Sequence, residues 1–178
     1  YVFLFTFHLN TVTERKNPLG LIEAFKAAFD PAERVTLVIK TMFAERFPEQ
    51  LAALRSAASG WPVSIINETY SEEEALALMD TCDAYVSLHR SEGLGLGMAE
   101  AMLMGKPVIA TGYSGNLSFM DESNSLLVDY DLVRLQQDLP PYEKGFEWAQ
   151  PSTYHAALQM RRVFADPAWA RELGERAR

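Results

Sequence analysis

The chain has one cysteine, Cys82, among 178 residues. That excludes an internal disulfide and fits a reducing, cytoplasmic setting. Its three histidines are scattered without cysteine partners, so no zinc-ligand spacing exists and no metal is expected. No run of about 18 uninterrupted apolar residues is present, which is near the minimum for a helix that spans a bilayer. A transmembrane anchor is therefore not expected. Positive charge is scarce too: 16 Lys and Arg against 24 Asp and Glu leave a formal net charge of −8. This balance argues against an extended nucleic-acid or anionic-membrane face, while leaving room for a compact basic cluster around a phosphate. Internal repeats and low-complexity segments are also lacking. At the start there is no initiator methionine, charged leader or cleavage site, since "YVFLFTF" already reads as a buried strand. The last residues, "WARELGERAR", stop in a helix without an exit signal. Both ends read as cuts from a longer chain.

What is present suits one globular domain: 48% hydrophobic and 22% charged residues, at a length that can bury a sizeable core. Apolar runs at 1–7, 35–39, 63–66, 84–88, 107–110 and 125–130 read as strands covered on both faces. Helical patterns lie between them. Asn17 before Pro18 predicts an N-cap and a first-turn proline, with Leu21, Ile22, Phe25, Ala28 and Phe29 on one stripe. A second helix is expected over about 48–58, and a third opens with Ser71 and Glu74 as a capping box. The fourth is the short "GMAEAMLM", closed by Gly105 and Pro107. Strand and helix in strict alternation predict an α/β fold with a Rossmann-like doubly wound parallel sheet. Residues 130–150, with paired prolines and no clean period, read as an irregular surface connection. Residues 151–178 read as tail helices, about 152–165 and 168–177, anchored by Trp148 and Trp169.

In an open parallel sheet, ligands sit beyond the carboxyl ends of the strands. The loop 89–96 follows the strand 84–88 and lies at that edge. Gly93, Gly95 and Gly97 let backbone approach a ligand, and the helix starting near Gly97 offers unpaired N–H groups, so a diphosphate seat and a plain tight turn are both readings of this loop. The spacing is not the dinucleotide fingerprint. Glu92 and Glu100 stand with seven residues between them. Each carboxylate can accept two hydroxyl hydrogen bonds from a sugar or ribose. A solvated loop acid and a first-turn acid favoured by the helix dipole are the plainer readings. His89 is a candidate donor to a phosphate or sugar oxygen, or else a packing residue. The loop "TGYSGN" follows the next strand, making Gly112, Gly115 and Asn116 candidates for a pocket rim, or for a turn.

"HRSEGLGLGMAEAMLMGKPVIATGYSGN" resembles the signature of the retaining GT-B glycosyltransferases of family 4, often called glycosyl transferases group 1. "ERKNPLGLIEAFKAAF", "SEEEALALMDTCDAYVSLHRSEG" and "ADPAWARELGERAR" are similar to further segments of that family. The likeness covers essentially the whole chain, and it is to the C-terminal, donor-binding half of the two-domain fold; the N-terminal acceptor half is expected to lie outside it.

The resemblance implies that Glu92 meets the donor sugar's hydroxyls as the catalytic residue and that Glu100 meets the nucleotide ribose. Lys16 would meet the diphosphate, with the backbone around Gly93, Leu94, Gly95, Leu96 and Gly97 holding the distal phosphate and sugar. Residues near Asn67 to Tyr70 would border the base. The family's Gly-Arg pair after the first strand is replaced here by "TFHLNTVTERK". Arg15 is the candidate for the lost cation, although a helical approach would turn it away from Lys16, and His8 reads as structural.

The implied substrate is a nucleoside-diphosphate sugar such as a GDP- or UDP-hexose, with no cofactor. The acceptor would be a saccharide or lipid-linked saccharide in bacterial surface polysaccharide synthesis, and the full-length protein cytoplasmic or peripheral to the inner membrane. A nucleotide-sugar epimerase of the same fold and a non-catalytic sugar-nucleotide-binding module are the alternatives.

Overall fold

The structure is a computed structural model that describes all 178 residues. Six strands form one parallel sheet: β1 (Val2–Thr6), β2 (Thr36–Thr41), β3 (Val63–Asn67), β4 (Ala84–Ser87), β5 (Val108–Thr111) and β6 (Leu126–Val128), in the order β3-β2-β1-β4-β5-β6. The expected doubly wound sheet is present. Its winding reverses between β1 and β4, which pair through Phe3 with Ala84 and Leu4 with Tyr85. That reversal opens a crevice at their carboxyl ends.

The helices are α1 (Thr13–Lys16), α2 (Pro18–Ala28), α3 (Pro48–Ala58), α4 (Glu72–Thr81), α5 (Leu96–Leu103), α6 (Thr153–Ala165) and α7 (Pro167–Ala177). Right-handed crossovers place α2 and α3 on one face of the sheet and α4 and α5 on the other. Phe3, Leu37 and Ile39 are fully buried, and Phe3 meets the rings of Phe25 and Phe29 at 6.4 and 5.6 Å. These strands carry apolar residues on both faces because helices cover both. The capping box of α4 forms as expected: Glu74 N–H donates to Ser71 Oγ, and Ser71 N–H donates to Glu74 Oε2 at 2.8 Å. No helix is long and apolar enough to cross a membrane.

Three local expectations need correction. Asn17 is the N-cap position of α2 with Pro18 in the first turn, as expected, but its side chain makes no capping hydrogen bond; the residue takes left-handed backbone angles (φ 54°) between α1 and α2. Its Nδ2 instead donates to Leu88 O at 2.9 Å, a buried acceptor that only the folded sheet supplies. Residues 130–150 are not an irregular connection throughout. They hold β7 (Tyr130–Arg134) and most of β8 (Glu147–Pro151), which pair antiparallel as a separate two-stranded ribbon. β7 is largely exposed, so it lacks the apolar run by which the other strands are recognised. Trp148, expected to anchor the tail helices, lies on β8 with its ring near Tyr142 and Arg90, outside the core cluster that the tail helices join.

Candidate functional site

The cleft at the β1/β4 switch point has a volume of about 540 Å3. Three segments build it: the end of β1, the one-turn helix α1, and the loop from β4 into α5. Glu92 lies at its centre with only 9% of its side chain exposed. Arg15 Nη1 donates to Glu92 Oε2 at 3.2 Å and to the Ser91 carbonyl at 3.0 Å. Lys16 Nζ donates to Glu92 Oε1. Arg15 therefore points into the cleft beside Lys16, contrary to the direction expected for it. The reason is that α1 lasts a single turn and lies against the loop, so consecutive side chains reach the same carboxylate.

Beyond Glu92, the amides of Gly93, Leu94, Gly95, Leu96 and Gly97 donate to no protein acceptor. Met98 N–H is the first amide of this run to find one, the Gly95 carbonyl. A row of free donors leading into a helix N-terminus is suited to an anion. Gly95 holds the turn at φ 90°, a conformation that side chains resist. Gly97 is required by proximity: a Cβ there would lie 2.6 Å from Tyr85 Oη. Burial pushes the Tyr85 hydroxyl up to about 12, so it stays protonated against Thr6 Oγ1 at 3.0 Å. Glu100 is exposed on the same cleft, on the second turn of α5.

The donor-binding candidate His89 and the rim candidates lie outside the cleft lining. His89 is fully buried, and both ring nitrogens are engaged by protein. Nε2 faces two acceptors, the Tyr113 carbonyl at 3.0 Å and Asn116 Oδ1 at 3.1 Å, so it carries the proton, and Nδ1 accepts from Ser87 Oγ. Burial holds the imidazole pKa below its usual value and favours this neutral form. Asn116 is fully buried as well, and its Nδ2 donates to Thr111 O. Gly112 lies against Leu127. A Cβ on Gly115 would sit 1.7 Å from the Gly93 carbonyl oxygen, and Gly115 N–H donates to Glu92 O. The "TGYSGN" loop thus supports the Glu92 loop from behind, and Ser114 Oγ accepts from Glu92 N–H at 2.8 Å. Asn67 and Tyr70 stand at the end of β3, two strands from β1, outside the cleft lining: Asn67 accepts from Ala44 N–H, and the Tyr70 ring lies 5.0 Å from Lys40 Nζ.

Thr6, His8, Thr11 and Tyr85 line the cleft and were not among the sequence candidates. Their signal was available in part, since Thr6 and His8 share one side of a chain leaving the carboxyl end of β1. Burial first, then Lys40 and Lys16, lower the His8 pKa, so it serves the cleft as a neutral group. No group of three or more His, Cys, Asp or Glu side chains converges to hold a metal ion.

The model for the family described as Glycosyl transferases group 1 matches residues 1–138. The chain belongs to this family. Its fold is that of the C-terminal domains of GT-B glycosyltransferases, as solved structures show at low identity. HepE of Anabaena, crystallised with UDP and glucose, is 18% identical with a TM-score of 0.70 over 99% of this chain and 42% of that one. Sucrose-phosphate synthase of Thermosynechococcus elongatus is 24% identical, TM-score 0.68, over 99% and 39%. The C-terminal domain of LpcC, a glycosyl transferase group 1 family protein of Francisella tularensis, is 19% identical, TM-score 0.68, over 99% and 82%. The chain thus spans about two fifths of the first two proteins. No curated protein matches it in sequence. The cleft of this group 1 family member presents two cations on one loop carboxylate, five free amides, and a second carboxylate on the helix that follows.

Proposed function

We propose that the chain is the donor-binding half of a retaining glycosyltransferase, which transfers a hexose from a nucleoside diphosphate to an acceptor hydroxyl. The observation that carries this reading is the convergence of Lys16 and Arg15 on Glu92 at the head of the free amides of residues 93–97. As the bond from the anomeric carbon to the phosphate oxygen breaks, negative charge grows on the distal phosphate. Fixed cations and amides stabilise such charge without reorganising, which is how a site lowers a barrier of this kind. Lys16 and Arg15 take that role, so transfer in this reading proceeds without a metal cofactor. Glu92 accepts hydrogen bonds from the donor sugar, and Glu100 from the ribose. His89, Asn116 and Gly115 hold the Glu92 loop without touching the ligand, and Gly112 rests on β6.

The group 1 family membership and the fold shared with HepE, a protein crystallised with UDP and glucose, support a nucleotide-sugar donor. An N-terminal domain would bring the acceptor, a saccharide or lipid-linked saccharide, to the open side of the cleft, and the domain alone would be inactive. Synthesis of a bacterial surface polysaccharide on the cytoplasmic side of the membrane is the setting we assign.

The test is a thermal-shift panel of UDP, GDP and ADP, their hexose conjugates and the matching nucleosides. A ligand at about 100 times its Kd adds about 2.7 kcal/mol of stability, about 5–10 °C for a domain of this size. At least one nucleoside diphosphate is expected to exceed its nucleoside clearly. If none does, the reading fails.

A further inference from the structure

The two cations of the cleft ride on α1, a helix of one turn that buries none of its residues. One turn has little stability of its own, because nucleation fixes several residues for one hydrogen bond. Asn17 ties the end of α1 to Leu88 O, and the turn itself is held by Arg90, two residues before Glu92. Its N–H donates to the Arg15 carbonyl at 2.7 Å, and its Nη1 donates to the Glu14 carbonyl at 2.7 Å. The rest of the guanidinium is held from the opposite side: Nε and Nη2 donate to Gln150 Oε1 of β8 at 3.0 and 2.8 Å. The Arg90 carbonyl accepts from Ala149 N–H at 3.0 Å, and the Trp148 ring lies 5.6 Å from the guanidinium carbon. Arg90 does not line the donor cleft. It borders a separate hollow behind α1, with Thr13, Glu14, Asn17 and Gln150.

We propose that Arg90 is a positioning residue: anchored by Gln150 and Ala149 of the β7–β8 ribbon, it holds the α1 turn so that Arg15 and Lys16 converge on Glu92. The ribbon is then part of the frame of the site, and displacement of β8 turns the cations out of the cleft. The consequence for donor binding rests on the function proposed above; the geometry of the clamp does not.

The test is the rate at which Lys16 is acylated in the ligand-free protein, resolved by mass spectrometry, in Arg90→Ala, Arg90→Lys and Gln150→Leu. Lys40, buried at the end of β2, is the internal reference, since general loosening would speed both lysines. In Arg90→Ala, Lys16 is expected to react about tenfold faster, the factor for losing about 1.4 kcal/mol of charge-assisted hydrogen bonding, with Lys40 unchanged. Arg90→Lys should restore part of the protection, because an ammonium reaches one side of the clamp and not both. Gln150→Leu, which leaves Arg90 in place, should give an intermediate rate, and it decides the matter if Arg90→Ala does not fold. Unchanged Lys16 reactivity in the folded variants, or equal acceleration of Lys40, overturns the proposal. Failure of the unaltered domain to bind any nucleoside diphosphate would instead remove the proposed function and leave this readout standing.

Discussion

Glu92 is the counter-ion of both cleft cations, so a diphosphate must share or displace it. Replacing its carboxylate with the isosteric neutral amide in Glu92→Gln therefore has a sign that simple loss of a binding residue does not. Suppose a phosphate sits about 6 Å from the carboxylate at an effective dielectric of about 20. The repulsion is then about 3 kcal/mol. Against this, the variant no longer pre-orders Arg15 and Lys16, which costs about 0.5–1 kcal/mol for each side chain immobilised on binding. The difference of about 1–2 kcal/mol predicts roughly tenfold tighter binding of the bare nucleoside diphosphate. Turnover of the nucleotide sugar by the full-length enzyme should fall by about 100-fold or more, since the acceptor for the sugar hydroxyls has lost its charge. Calorimetry at low and high salt measures the first effect, and screening should shrink the gain. Equal or weaker diphosphate affinity in Glu92→Gln would refute the reasoning, because Glu92 would then not compete for the cations.

Lys16→Met should erase much of the preference for a nucleoside diphosphate over its nucleoside, by about tenfold in Kd ratio, as read by the same calorimetry. Gly115→Ala forces a methyl group onto the Gly93 carbonyl; a loss of about 3 kcal/mol or more in denaturant unfolding is expected, against about 1 kcal/mol for Gly60→Ala, which strains a positive φ but meets open space. Burial lowers the His89 pKa in the fold, so below its ordinary 6.5 the unfolded chain takes up a proton that the native state refuses. Stability should be level above that pH and fall as pH drops below it, and His89→Gln should flatten this part of the profile in pH-dependent unfolding.

Legibility in the sequence followed burial. The six sheet strands announced themselves because both faces are covered, whereas Glu92, Glu100 and the three glycines read locally as either a ligand seat or a plain turn, and only the family resemblance favoured the first. The ribbon was hidden for the opposite reason: β7 buries almost nothing, and β8 is held in part by Arg90, a long-range partner that no local pattern reveals. Asn17 sits at the capping position its sequence signals, but its left-handed backbone and the bond from its Nδ2 to Leu88 O orient the side chain so that no capping hydrogen bond forms. His89 was placed at the right strand end, but its burial depends on the loop of Asn116, 27 residues further on. Nor could periodicity show that Arg15 turns inward, since its partner Glu92 is 77 residues away.

These misplacements share one cause, and it bears on how the site works. Neighbouring residues of this segment reach different partners, some in the cleft and some in the protein behind it, and those partners are distant in sequence. Glu92 faces the cleft, while Arg90 reaches back to α1 and β8 and His89 reaches back to the "TGYSGN" loop. The Glu92 loop is therefore gripped from two directions: by the ribbon through Arg90, and by the β5 loop through Ser114, Gly115 and Asn116. Both grips use hydrogen bonds between partly or fully buried groups, so each is costly to break and each fixes the carboxylate independently. The glycine segment can then present five free amides beside a charged end that stays fixed. The fixed carboxylate at Glu92 and the unpaired amides of Gly93 to Gly97 are complementary parts of one design, since the first orders the cations and the second offers donors to an anion.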